Sequence, residues 1–121
     1  MSTRILVVED DRGIGMMLER GLRLAGHDVS VASDLAAARD EWASGAWDLV
    51  LLDVMLPDGD GIELLAERRA GGDATPCVLV SAREEGDLRD RAAAAGANAY
   101  LPKPFAYAEL LSSVDRLVSR R

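Results

Sequence analysis

Three runs of the chain are apolar without interruption, Ile5 to Val8, Leu49 to Leu52 and Cys77 to Val80, and each is rich in Val, Ile and Leu. A strand with one wet face alternates apolar and polar positions, so unbroken runs predict strands buried on both faces of a parallel sheet. Two weaker strands are expected over Val29 to Ala32 and Ala99 to Leu101. Between the strands the pattern predicts helices over Ile14 to Ala25, Leu35 to Ala43, Ile62 to Ala70, Asp87 to Ala95 and Ala108 to Ser119. Gly26, Gly45, Gly71 and Gly96 stand near the ends of four of them, and Ser33 or Asp34 stands where the second would be capped.

Strands and helices that alternate five times admit few topologies. Right-handed crossovers force a parallel sheet with helices on both faces, and five strands predict a flavodoxin-like, doubly wound α/β fold of strand order 2-1-3-4-5. With 121 residues, 49% of them hydrophobic, the chain suits one domain over residues 1–121. Its 14 basic and 21 acidic side chains give a net charge of -7, which repels nucleic acid and anionic membranes. Direct DNA binding by this domain is therefore not expected. Cys77 is the single cysteine and cannot form an internal disulfide. The start MSTRILVVEDD lacks the layout of a signal peptide, and the apolar runs are far shorter than the roughly 20 residues that span a bilayer. The cytoplasm is the expected compartment.

Ligands in open α/β sheets bind beyond the carboxyl ends of the strands. Here those ends carry Glu9, Asp10 and Asp11 after the first strand, Asp53 after the third, Ser81 after the fourth and Lys103 after the fifth. Taken singly, each has an ordinary explanation as a solvated turn acid, a surface lysine or a helix cap. Their convergence in the proposed strand order is a different matter. Three carboxylates in one pocket repel one another, and a hard divalent cation with oxygen ligands removes the conflict. Few protein oxygens are on offer, which favours Mg²⁺ over Ca²⁺.

At this point the sequence resembles the receiver domain of a bacterial two-component response regulator, over essentially its whole length. The resemblance is carried by ILVVEDD from Ile5, LVLLDVMLPDGDG from Leu49, VLVSA from Val78 and AYLPKPF from Ala99, in that order. It implies that Asp53 accepts a phosphoryl group from a phosphohistidine on a sensor histidine kinase. It also implies that Asp10, Asp53 and the main-chain carbonyl of Met55 ligate Mg²⁺, with Glu9 acting through water and Asp11 solvated. Lys103 is then the second cation at the phosphoryl group, Ser81 a hydrogen-bond donor to it, and the Lys103-Pro104 bond cis. Ser81 and Tyr100 become the switch, with Tyr100 turning inward when Ser81 moves and so remodelling the surface of the fourth helix, fifth strand and fifth helix.

Many DNA-binding members dimerise through that surface. Here Asn98 and Ala99 replace the usual acids and Ser113 replaces the usual arginine, although Glu109 remains to pair with Arg89 or Arg91, so a homodimer on phosphorylation is expected to be weak or altered. Met55 and Arg83 flank the site and suggest slow hydrolysis of the phosphoryl group. Transcriptional control would run through an effector domain outside this chain. The alternatives are a free-standing receiver acting by protein contact and a receiver-like module that is never phosphorylated. Gly13 and Gly15 do not make a dinucleotide loop, because Leu18 fills the third glycine position and three acids precede the turn. A haloacid-dehalogenase-like phosphatase would need a second Asp where Met55 stands. His27 is expected at the surface or sheet edge rather than as a phosphodonor, and Cys77, Trp42 and Trp47 are expected to pack.

Overall fold

The computed structural model describes residues 3–82 and 86–118. Strand β1 (Arg4–Val8) lies between β2 (Asp28–Ala32) and β3 (Leu49–Asp53), the central strand. Beyond β3 lie β4 (Cys77–Ser81) and β5 (Ala99–Pro102), so the order is β2-β1-β3-β4-β5 and every pairing is parallel. The helices are α1 (Arg12–Leu24), α2 (Leu35–Ser44), α3 (Gly61–Ala70), α4 (Leu88–Ala95) and α5 (Tyr107–Val118). This is the flavodoxin-like α/β fold that the pattern predicts.

Successive strand residues point to opposite faces, and two cores follow. Ile5, Val7, Leu49, Leu51, Val78 and Val80 pack with Leu18 and Leu22 of α1 and with Leu110, Val114 and Leu117 of α5. Leu6, Val8, Val50, Leu52 and Leu79 pack on the other face with Trp42 of α2, Leu64 and Leu65 of α3 and Leu88 of α4. Both tryptophans belong to that second core, and Trp42 is almost wholly buried. His27, distant from the strand ends, meets the Thr3 hydroxyl at 2.9 Å.

The boundaries differ from the sequence pattern where side chains or ladder pairs intervene. Asp53 and Ser81 are the last residues of β3 and β4 rather than loop residues, because they pair with Val80 and Pro102 in the ladders. Helix α1 begins at Arg12 because Asp11 is its N-cap and accepts the Ile14 N–H at 3.0 Å. Asp11 is thus exposed but holds a helix end. Asp34, not Ser33, caps α2 by accepting from Ala37 N–H at 2.8 Å. Ser119, the expected end of the last helix, lies outside the described residues. A two-residue antiparallel ladder between Met55–Leu56 and Gly59–Asp60 was not expected, since a stretch this short carries no alternation to read.

Asp73 ties the α3–β4 connection to the second core. Its carboxylate accepts from Trp42 Nε1 at 3.1 Å, from Arg68 at 3.0 Å and from Thr75 N–H at 2.8 Å. Burial opposes its charge, but the Thr75 and Arg68 contacts outweigh it and hold the carboxyl at about 2. Against an ordinary value near 3.8, that shift corresponds to about 2 kcal/mol of stability. A lowered carboxyl stabilises the fold above its unfolded value and loses this as pH falls through the folded one. Asp73→Ala is therefore expected to cost about 2 kcal/mol in urea unfolding at pH 7, with the gap to wild type closing between about pH 4 and pH 2.

Candidate functional site

Adjacent parallel strands bring the sequence-predicted residues to one end of the sheet. Glu9, directly after β1, is 2% exposed, and Asp53, at the end of β3, is 4% exposed. Lys103, directly after β5, reaches back so that its Nζ donates to Glu9 Oε1 at 2.6 Å and to Asp53 Oδ2 at 2.9 Å. The other oxygen of each acid is held by main chain, Glu9 Oε2 by Asp11 N–H at 3.1 Å and Asp53 Oδ1 by Met55 N–H at 3.0 Å. Asp10 is exposed, and it offers an oxygen within 4.8 Å of oxygens of Glu9 and Asp53. The Lys103-Pro104 bond is cis, as expected.

Charge is unbalanced at this end of the sheet, with three carboxylates facing one ammonium. Burial is the strongest influence on Glu9 and pushes its carboxyl above the ordinary range, with the Lys103 contact offsetting this only in part. Burial would likewise strip the Lys103 proton, but the bonds to Glu9 and Asp53 outweigh it and hold the ammonium above the ordinary lysine range. Lys103 therefore stays a cation, and the excess negative charge is left for a ligand to neutralise. The donors are all hard oxygens on a cavity of about 430 Å³ that opens to solvent past Ile14, Leu56 and Ala82. Such a set fits Mg²⁺, which keeps several waters and takes few protein ligands.

The loop after Asp53 is pinned at several points. Val54 N–H donates to Val80 O at 2.9 Å and Gly61 N–H to Val54 O at 2.7 Å. A Cβ on Gly61 would collide with the Asp53 carbonyl oxygen, so the start of α3 lies directly against the backbone of the site. Asp58 and Asp60, the two further acids of this loop, hold helix ends. Asp58 caps α2 from outside by accepting Leu35 N–H at 2.7 Å and Ala36 N–H at 3.1 Å, and the first of these is the main reason its carboxyl lies below the usual range. Asp60 caps α3 through Ile62 N–H at 2.8 Å and takes Arg91 of α4 on its other oxygen at 2.8 Å. An Asp just before a helical run signals a cap in sequence, but neither long-range partner could be read from it.

The remaining candidates divide. Ser81 is fully buried at the end of β4, and the N-cap of α4 is Asp87, so Ser81 is not the cap of that helix. Met55 is exposed at the mouth of the cavity. Tyr100 on β5 is half-buried, with the Arg89 guanidinium 4.9 Å above its ring. Arg89 and Arg91, expected as possible partners of Glu109, are engaged with Tyr100 and Asp60, while Glu109 accepts Ala106 N–H at 3.1 Å. Asn98 Oδ1 points into the fold, accepting Cys77 N–H at 2.9 Å and Arg69 at 3.1 Å. Burial pushes the Cys77 thiol up to about 12, which leaves it inert. Arg83 lies outside the described residues.

Comparison with known proteins agrees with this arrangement. The family model of the response regulator receiver domain matches residues 5–115. The chain belongs to that family. This receiver is 43% identical over 120 residues to response regulator MprA of Mycobacterium tuberculosis, covering 99% of this chain and 52% of the relative. MprA of Mycolicibacterium vanbaalenii matches to the same extent. The receiver thus spans about half the length of the curated relatives it matches. Among solved structures, the Francisella response regulator 1452 receiver domain superposes with a TM-score of 0.93 at 30% identity, covering 98% of both chains. The non-phosphorylated HemR receiver domain of Leptospira biflexa gives 0.89 at 35% identity, covering 98% of this chain and 95% of that one. Response regulator TrrA of Thermotoga maritima, solved in complex with Mg²⁺ and BeF, gives 0.85 at 31% identity, covering 95% of this receiver and 98% of its own chain. Receiver domains are signalling modules of two-component systems. Among the described residues no helix is long and apolar enough to cross a membrane.

Proposed function

We propose that this receiver takes a phosphoryl group onto Asp53 from a phosphohistidine of a sensor histidine kinase. The observation that carries the reading is the buried Asp53 carboxylate, 2.9 Å from the Lys103 ammonium and clustered with Glu9 and Asp10 at an open cavity. In the transfer an Asp53 oxygen attacks phosphorus, the bond from phosphorus to the imidazole nitrogen breaks, and that nitrogen leaves with the bonding pair. Phosphoryl transfer asks little of a protein beyond alignment and neutralisation of charge on the phosphoryl oxygens. Asp53 supplies the nucleophile, and the Met55 N–H and Lys103 fix its two oxygens in place. Lys103 then turns its point charge to the incoming oxygens, and Ser81 gives a hydrogen bond to the product. Mg²⁺, when bound, adds a second positive charge at those oxygens; Asp10 and Asp53 with the Met55 carbonyl would hold it, and Glu9 through water. The Thermotoga complex with Mg²⁺ and BeF supports this choice of metal.

By the same reading this protein works in a cytoplasmic signalling pathway and is not a turnover enzyme. Its output is transcriptional, through an effector domain of the kind that relatives about twice this length accommodate. The test is incubation with acetyl phosphate and Mg²⁺ followed by intact mass. Addition of one phosphoryl group, blocked by EDTA, is expected, and a chain that never gains mass under these conditions would sink the proposal.

Phosphorylation reaches the α4, β5 and α5 surface as a population shift in which Ser81 and Tyr100 repack. Dimerisation through that surface is expected to be weak, because Arg89, Arg91, Glu109 and Asn98 are satisfied within the chain and Ser113 is buried. Sedimentation with beryllofluoride should show mainly monomer at micromolar concentration; a tight dimer would refute this.

A further inference from the structure

We propose that the Asp60–Arg91 ion pair couples the metal-side loop to α4, as a route separate from Ser81 and Tyr100. This rests on the reading of the site as one that takes Mg²⁺ beside Asp53. Asp60 belongs to three structures at once. Its backbone pairs with Met55 in the two-residue ladder, its Oδ1 accepts Ile62 N–H at 2.8 Å to cap α3, and its Oδ2 accepts Arg91 at 2.8 Å. Met55 carries the main-chain carbonyl that, with Asp10 and Asp53, would hold the metal. A ladder this short has no slack, and Gly61 N–H to Val54 O closes it from the other side at 2.7 Å. A shift of Met55 therefore moves the Asp60 carboxylate.

Helix α4 is built to feel that movement. It has eight residues, its N-cap Asp87 makes no side-chain cap bond, and its first turn is held by the buried Leu88 and the Arg91 N–H bond to Asp87 O at 2.9 Å. A cavity of about 230 Å³ is lined by Leu56 and Gly59 of the loop and by Leu88 and Arg91 of the helix. The Asp60–Arg91 ion pair lies at this cavity and joins the loop to the helix. Both side chains are partly exposed, 40% for Arg91 and 30% for Asp60, so the pair adds little to stability. A contact worth a few-fold in population is the right size to bias two packings of a helix without locking either.

The experiment follows backbone amide NMR shifts of the intact chain on titration with Mg²⁺ alone. The amides of Met55 and of Ala92 to Ala94 are expected to shift together in the wild type. Asp60→Asn keeps the cap oxygen and removes the charge, while Arg91→Gln removes the cation. In each variant the Met55 shift should remain and the α4 shifts should fall by at least half, with no further loss in the double variant. Arg91→Lys, which keeps the charge, should restore most of the response. An α4 shift that survives undiminished in both variants, or that never appears in the wild type, overturns the coupling. A Met55 amide that does not respond in the wild type overturns the metal reading and the coupling with it.

Discussion

Asp53→Asn is expected to reduce phosphoryl uptake from acetyl phosphate to background and, at the same time, to stabilise the metal-free fold. The first effect follows because an amide oxygen carries no charge to attack phosphorus, and no other acid of the site holds the same position at the end of a buried strand. The second follows from the local charge. Glu9 and Asp53 are both buried beside one ammonium, with Asp10 close by, and like charges a few ångströms apart repel by up to about 4 kcal/mol in a partly screened site. The variant's single amide oxygen can accept from Lys103 or from the Met55 N–H but not from both, so the repulsion is relieved at the cost of one of these two contacts. A net gain of about 1 kcal/mol in urea unfolding without metal is the expected outcome. Mg²⁺ should reverse the order. At about 100 times its dissociation constant it would raise wild-type stability by about 2.7 kcal/mol, and the variant, short of one charged ligand, should gain much less. Equal stabilisation of both chains by Mg²⁺ would show that Asp53 is not a ligand.

Gly61→Ala should be strongly destabilising. The added Cβ would collide with the Asp53 carbonyl oxygen and lie 3.2 Å from Leu52 Cγ. Neither neighbour is the free end of a flexible side chain. Relief requires the start of α3 to move off β3, which breaks the Gly61 N–H bond to Val54 O and disturbs the Asp60 cap behind it. A loss of about 3 kcal/mol in urea unfolding is expected, the range of overpacked cores and broken caps together. The same shift displaces Met55, so phosphorylation by acetyl phosphate should slow by at least about tenfold in protein that remains folded. Near-wild-type stability and rate together would mean that the loop tolerates movement here, and the close approach would lose its significance.

Much of the site was legible because its parts lie at predictable places. A strand buried on both faces needs an unbroken apolar run, and three such runs mark β1, β3 and β4 to within a residue. Once the runs are ordered, whatever polar residue follows each one lies at the same end of the sheet. Glu9, Asp10, Asp53, Ser81 and Lys103 could be gathered in this way without coordinates. The partners of Asp58, Asp60 and Asp73 could not. These acids look alike in sequence, yet one caps a helix from a distant loop, one joins α3 to α4, and one takes the Trp42 indole.

The sequence by itself determined the layers, the strand order and the end of the sheet where chemistry gathers. Those follow from periodicity, chain length and handedness, which are local or topological. Only the tertiary structure decided which charges meet. Lys103 bridges Glu9 and Asp53 from 94 and 50 residues away, and Arg91 crosses 31 residues to Asp60. Such pairs depend on the direction in which a side chain leaves its strand or helix and on what shields it from water, and neither is set until both cores have closed.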